Sequence, residues 1–572
     1  MIPRTNSRLI GDNMAEESIN VDLTSGQLIG LPAPMLEYDF TSYPETVERA
    51  YLLPGPSPNP ALWVPLPSRY SSPVRSPLTN DDQYRLYWTN PGDPTPWWNT
   101  YAGLSADTPD FNLGTIQPTT APAIASVSGG DTTVPEITRS YVYTWVNSFG
   151  EESAPSPPSA TMDGPPDATW VVTGLPTGVP ANPSGRNYPP ITQLVLYRTI
   201  TGTQTGAQFY EVGRFNYPGG VLDPYNDSIA DDVAVNNHVI ESLGWGNPPV
   251  GLDGLVAFPG GMLIGFTGNT IHFCEPDRPH TWPSVYDQSV HYDIVTLAVW
   301  QQFLMVLTAG YPSTGSGNSP SNFVLVQSRV PEPCVSRGSV VTDLLAVYYA
   351  SQNGLIQISG YGMQNQTLLM VDREQWLNRY KADNLIACRH RSQYMAINQT
   401  DSAFIIDYAE QRLGFEDLST FKDVVCIWND EVWGETFLMA DKKIYKWDSP
   451  TALRQPYRWR SKRFFAPLPI SLGAVQITLG AEVEDAQDPA QISPPLDNGD
   501  TSLNLPAGVN AVFNYYAGPD FELIMSRNLT TQQELFRLPA GFRAFDHQLE
   551  VVSTASIYSI QVGTTMSELR GV

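Results

Sequence analysis

Two pairs of acidic residues stand close enough in the chain to work on a sugar: Glu275 with Asp277, and Asp430 with Glu431. Glycoside hydrolysis needs two carboxyl groups held at a fixed separation across the scissile bond. Neighbouring residues of a strand point to opposite faces, which disfavours Asp430 with Glu431. Glu275 and Asp277 would share a face, but they lie in a proline-bounded turn. The histidines, His238, His272, His280, His291, His390 and His547, form neither a His-Glu-x-x-His motif nor a cluster of ligands. His280 is expected to fix its loop by hydrogen bonding. There is no Gly-x-Ser-x-Gly elbow and no phosphate-binding Gly-x-x-x-x-Gly-Lys loop.

Asp223, Asp227, Asp231 and Asp232 could offer hard oxygen ligands to calcium, but the regular acidic spacing and glycine of an EF-hand loop are missing. A solvated acidic turn is the expected role. The cysteines, Cys274, Cys334, Cys388 and Cys426, are 60, 54 and 38 residues apart, which fits neither a metal site nor a disulfide framework. They are expected to be reduced and packed inside. Arg458-Trp-Arg-Ser-Lys-Arg463 is the one basic run, expected as a solvated face or a contact with an acidic neighbouring subunit. Trp97, Trp98 and Tyr101 could form a sugar platform; with no carboxylate pair beside them, an interface or local core is the expectation. No cofactor or metal, and no enzymatic activity, is expected.

These residues hang on a series of similar hairpins. They pair 262–266 with 270–273, 303–307 with 322–326, 346–350 with 355–358, 394–397 with 403–406, and 436–439 with 443–447. The opening strands, marked by Leu263, Leu304, Ala346, Tyr394 and Phe437, recur at intervals of 41, 42, 48 and 43 residues. A period of roughly 40–50 residues with several short strands per unit is the signature of a β-propeller. One small sheet cannot hide its apolar faces alone, but sheets stacked around an axis hide each other's. Strands near 250–258 and 457–465 could complete a sixth blade.

The fold class is therefore all-β and multidomain. The expected divisions are an irregular, proline-rich segment at 1–120, a sandwich at 121–236, the propeller at 237–460 and a β-rich segment at 461–572. In the second region, strands at 140–146, 169–173, 193–198 and 209–215 fit a sandwich of about seven short strands. The two terminal segments are expected to pack together as one platform. Convincing helices are short, at 372–380 and 565–569. The 572 residues exceed a single core, and Gly 44 with Pro 51 supplies the turns. A formal charge of −26 argues against a surface that grips nucleic acid. Residues 1–14 lack the apolar core of a secretory signal, and no run is apolar enough to span a bilayer, so synthesis in the cytoplasm is expected.

Several phrases carry a resemblance. The most specific is Phe273-Cys-Glu-Pro-Asp-Arg-Pro-His-Thr-Trp-Pro283. Leu307-Thr-Ala-Gly-Tyr-Pro312, Gly317-Asn-Ser-Pro320, Cys334-Val-Ser336 and Tyr349-Ala-Ser-Gln-Asn-Gly-Leu355 follow in order. With Asn20-Val-Asp-Leu-Thr-Ser-Gly26 near the start and Met566-Ser-Glu-Leu569 at the end, the chain resembles the tail nozzle proteins of short-tailed bacteriophages, the tail tubular protein B family. The stretch 141–157 resembles a fibronectin type III domain.

The nozzle resemblance implies a structural virion protein. It would form hexamers below the portal and adaptor, extend the DNA channel, and hold fibres or a spike. The departure is that no gate loop is identifiable. Six copies at −26 would carry −156, and a lumen sharing that charge would repel phosphates and let DNA slide. The alternative is a propeller-based glycan-binding or glycan-degrading tail protein.

Overall fold

The computed structural model describes residues 15–570, leaving out 24–25, 203–205, 361, 369, 399–401, 408–413, 419–423, 431, 450–451, 481–502, 504, 506–510, 519–520 and 540. The chain is all-β, built of many small sheets. Three successive four-stranded sheets are antiparallel meanders that begin at Asp253–Phe258, Ile294–Trp300 and Val341–Thr342. A fourth meander, begun by Ile386–His390, runs on into a larger sheet. These contain the first, third and fourth predicted hairpins, for example Ile264 opposite Phe273 and Tyr394 opposite Ile406. The second is corrected: Phe303–Thr308 pairs with Ser313–Ser316, a strand formed within the expected loop, and only that strand pairs with Val324–Gln327.

Two sheets depart from the expected boundaries. Strands Val424–Asn429, Thr436–Ala440 and Lys443–Lys446 take their fourth strand from the far end of the chain, Met35–Asp39, with Ile444 opposite Tyr38. A further four-stranded meander, Ser72–Arg75, Leu86–Thr89, Trp97–Asn99 and Phe111–Asn112, lies wholly in the proline-rich segment. Strand Asp253–Phe258 opens the sheet of the first predicted hairpin, and Tyr457–Ser461 joins a C-terminal sheet, so neither completes a sixth blade. The division at 120 therefore separates strands that pack side by side.

Apolar clusters fill the gaps between successive sheets. Leu304, Leu297 and Phe323 meet Ile264 and Phe273; Leu307 meets Tyr349; Tyr348 meets Tyr394; Met395 meets Met439. The hairpin Arg49–Leu53/Leu62–Leu66 returns the contacts from Val424–Asn429 to the Ser72–Asn112 sheet, through Trp63 on one side and Leu53 with Trp88 on the other. All four cysteines are buried and free; Cys274, Cys334, Cys388 and Cys426 sit in these clusters. Arg337, ahead of Val341–Thr342, makes a forked ion pair with Asp253, its Nη2 lying 2.8 Å from Oδ1, and also donates to Ser72. This ties the opening strands of two other sheets to a third.

Residues between the Ser72–Asn112 sheet and Asp253 form an inserted module. Its two three-stranded sheets are Ala123–Ser128/Thr169–Thr173/Tyr225–Asp227 and Tyr141–Asn147/Ile191–Gly202/Gly206–Asn216. Tyr141, Tyr143, Trp145, Trp170 and Leu194 share the core between them. At the other end, Tyr457–Ser461, Ala511–Ala517, Glu522–Leu529 and Ala544–Ser553 share a sheet with Ala15–Ile19, while Ala474–Leu479, Gln533–Arg537 and Ile557–Gly563 form a second. Val21 lies in the core they enclose. The short helices fall at Arg373–Asn378, capped by the Asp372 side chain, and at Met566–Leu569, with a Thr565/Glu568 capping box.

Candidate functional site

The phrase at 273–283 builds the seam between the inserted module and the ring of sheets. Its turn is closed by Arg278 N–H to the Glu275 carbonyl at 3.0 Å and Glu275 N–H to the Thr281 carbonyl at 2.9 Å. The Trp282 indole donates to the Pro279 carbonyl at 2.9 Å, and the Trp282 amide donates to Gly246 at 2.8 Å. Glu275 accepts from the Tyr286 hydroxyl at 3.0 Å. Asp277, at φ 58°, packs its carboxylate where a side chain on Gly261 would otherwise sit. The two carboxylates thus serve the turn. Asp430 accepts from the Trp433 amide at 2.8 Å, closing another turn; Glu431 lies outside the described residues.

The module reaches the seam with the turn that follows Tyr141–Asn147. Asn147 closes it, its side chain taking the amides of Phe149 and Glu151 at 2.9 and 3.0 Å. That places Phe149 edge-on to Trp98, ring centroids 5.0 Å apart, with Phe111 beside both. Arg85 bridges two carboxylates, 3.1 Å from Asp81 and 3.1 Å from Glu151. Its guanidinium also lies over the Trp98 ring. His280 completes the seam, buried edge-on to Trp245, with Nδ1 3.9 Å from Glu151. The Arg278 guanidinium also lies over the Trp245 ring and pairs with Glu241. Sequence reasoning expected His280 to fix its own loop by hydrogen bonding; instead its Nε2 is buried without a hydrogen-bond partner and its Nδ1 faces Glu151 of the module's turn. Arg85 and Glu151 carried no motif, since their pairing spans the whole module boundary.

Burial drives the His280 pKa below its ordinary value of 6.5, against the opposing pull of Glu151; Arg278 and Arg85 add to the lowering. A ring kept neutral when folded makes the unfolded state the better proton acceptor in acid. Stability from this group is complete above the unfolded-state value and declines as pH falls through it toward the folded value. His280→Gln is expected to flatten the fall in the denaturation midpoint between about pH 7.5 and about pH 5. An unchanged slope would show that the ring does not titrate with unfolding.

The remaining histidines are also engaged or exposed. His272 sits between Thr267 and Asp287 at 2.7 and 2.8 Å, His390 contacts Thr436 at 3.0 Å, and His547 meets the Tyr515 hydroxyl at 2.7 Å. The His238 carbonyl accepts from Glu211, and His291 is exposed. Trp98 and Tyr101 are buried in local core, and Trp97 donates to Asp93 at 2.7 Å.

Two expectations about charge are corrected. The acidic turn at 223–232 is not simply solvated: Asp227 is fully buried against Arg198 at 2.6 Å, and Asp231 takes Arg139 at 2.6 Å and Arg198 at 2.8 Å. Asp223 accepts from the Gly174 amide, and Asp232 is exposed. Two of the four carboxylates are thus committed to arginines, and no group of three or more acidic, histidine or cysteine side chains suited to a metal occurs among the described residues. Two arginines of the basic run are likewise paired within the chain. Arg460 holds Glu550, Nε to carboxylate 2.7 Å, and Arg458 and Arg460 lie 3.8 and 3.6 Å from Glu17. No helix among the described residues is long and apolar enough to cross a membrane.

No family model and no curated protein matches the sequence. Among solved structures the chain is similar to BamB from Moraxella catarrhalis, with 11% identity over 59% of this chain and 94% of that one, at a TM-score of 0.25. It is similar to the Pan2 WD40 domain of Neurospora crassa at 9% identity, covering 51% and 86%, TM-score 0.26. A third is BBS1N in complex with ARL6DN, at 10% identity, covering 73% and 98%, TM-score 0.27.

Proposed function

We propose that the chain is a structural virion protein of a short-tailed phage, six copies of which form the tail nozzle. It extends the DNA-ejection channel below the portal and adaptor and anchors fibres or a spike. The observation that carries this reading is the use of the 273–283 phrase, the most specific part of the resemblance. Its glutamate, aspartate, histidine and tryptophan are spent on a turn that locks the inserted module to the ring of sheets. A pipe wall needs such stiff joints. In this reading the inserted module is the fibronectin type III-like sandwich. The C-terminal sheets with residues 15–30 are the platform that meets neighbouring subunits.

Charge supports the same reading. Arg458 and Arg460 of the one basic run are turned to Glu17 and Glu550 instead of being displayed to phosphate. Locating a tagged subunit by electron microscopy of the particle tests the proposal. Density in the tube between the head collar and the tail tip is expected, with a lumen lined mainly by acidic and neutral side chains. Density in a peripheral fibre, together with binding or cleavage of capsular polysaccharide, would instead support the glycan-directed alternative.

A further inference from the structure

A hydroxyl, an imidazole and a carboxylate stand in line on one face of the sheet that Asp253–Phe258 opens. Thr267 and His272 lie on the two strands of one hairpin, Met262–Thr267 and Thr270–Phe273. His272 is opposite Gly265, two residues from Thr267, so both side chains leave the same face. Ile271 pairs with Gln288, which brings Asp287 beside His272 from the edge strand. Thr267 Oγ1 lies 2.7 Å from His272 Nε2, and Asp287 Oδ1 lies 2.8 Å from Nδ1. A carboxylate only accepts, so Nδ1 carries the proton and Nε2 accepts from the threonine hydroxyl. The His272 ring is buried, Thr267 is half-buried, and Gly268 and Asn269 beside it are exposed. The amides of that two-residue turn donate to no other group among the described residues. His390 touches the same residue types, but its threonine, Thr436, is only 2% exposed and contacts Nδ1 instead of Nε2.

We propose that Thr267, His272 and Asp287 form a nucleophilic site that hydrolyses short, uncharged carboxylic esters, an activity independent of the nozzle reading. The order of the groups is that of a hydrolytic triad, with the nucleophile on Nε2 and the orienting carboxylate on Nδ1. Thr267 Oγ1 attacks the ester carbonyl carbon while its proton passes to His272 Nε2. Asp287 holds the ring and offsets the imidazolium charge. The free Gly268 amide, next along the chain, donates to the oxyanion. On collapse the bond from the acyl carbon to the alcohol oxygen breaks, and Nε2 returns the proton to the leaving alkoxide. A water molecule, giving its proton to the same nitrogen, then releases the acid and restores the Thr267 hydroxyl. Strands Met262–Thr267, Thr270–Phe273 and Gln288–Ser289 carry no lysine or arginine, so they offer an anionic substrate no counter-charge. The nucleophile stands at an exposed two-residue turn, which suits a short acyl group.

The test is hydrolysis of p-nitrophenyl acetate by the purified full-length chain, together with a fluorophosphonate probe whose adduct is located by peptide mass spectrometry. Wild type is expected to hydrolyse the ester and to carry the adduct on Thr267. Thr267→Val and His272→Asn are each expected to lower the rate by about 100-fold or more. Thr267→Ser, which keeps the hydroxyl, is expected to retain both hydrolysis and the adduct. His291→Gln, at an exposed histidine, is expected to behave like wild type. A wild type with no hydrolysis above buffer and no adduct on Thr267 would overturn the site. So would an unchanged rate in a folded Thr267→Val, or an adduct on Thr436. An equal loss in His291→Gln would show that a surface imidazole does the hydrolysis, and would overturn it too. Each of these outcomes leaves the nozzle reading as it stands.

Discussion

Asp227→Ala is expected to destabilise the inserted module by about 3–5 kcal/mol, as the loss of one member of a buried ion pair does. The Asp227 carboxylate and the Arg198 guanidinium are both wholly buried. One carboxylate oxygen accepts from Arg198 at 2.6 Å and from the Tyr141 hydroxyl at 2.7 Å, and the other takes the Ile229 amide at 3.1 Å. Without it, Arg198 keeps the Ile229 carbonyl and Asp231, and Asp231 already serves Arg139. A cation and a hydroxyl would be left short of partners inside a core of Tyr143, Trp170 and Leu196. Urea unfolding followed by tryptophan fluorescence should show the module melting ahead of the ring. Adding Arg198→Met should restore most of the loss, because the cost belongs to the uncompensated charge. A single variant within about 1 kcal/mol of wild type would mean that water reaches the site.

Trp98→Ala is expected to cost about 3–5 kcal/mol, the range for deleting a buried indole, and to uncouple module from ring. Trp98 is 1% exposed. It stacks on Tyr87 at 6.0 Å, meets Phe149 edge-on at 5.0 Å and donates to the Asn112 carbonyl at 3.3 Å. It therefore belongs to the core of its own sheet and to the seam at once. Calorimetry should show the transition splitting, with amide exchange quickening across the turn at 147–153. Phe149→Ala touches the same ring from the module side only, so it should split the transition at smaller cost. A Trp98→Ala protein that still melts in one transition would show that the seam does not couple the two bodies.

Where the sequence was informative, the signal was local. The hairpins at 262–273 and 346–358 carry apolar strands and turn residues within a dozen positions, and their spacing repeats. The buried cysteines and the strand at 141–147 follow from the same local patterning. What escaped depends on distant partners. Nothing in Met35–Asp39 announces that it will edge the sheet of Lys443–Lys446. Of the Ser72–Asn112 sheet, only the strand at Leu86–Thr89 was legible, from the alternation of 82–88; the rest was hidden because Trp97 and Trp98 sit among prolines, where extended strand and loop look alike. The acidic turn and the basic run misled for one reason: the counter-charges that neutralise Asp227 and Arg460 lie 29 and 90 residues away. The seam at Glu151 and His280 was half legible, since the histidine stood in a marked phrase and its partner did not.

The native mass of the purified full-length chain, measured alone and after mixing with the collar protein that the nozzle proposal sets above it, tests the central claim most directly. A closed ring of six subunits in at least one of the two conditions is the predicted result. A single subunit in both would contradict it.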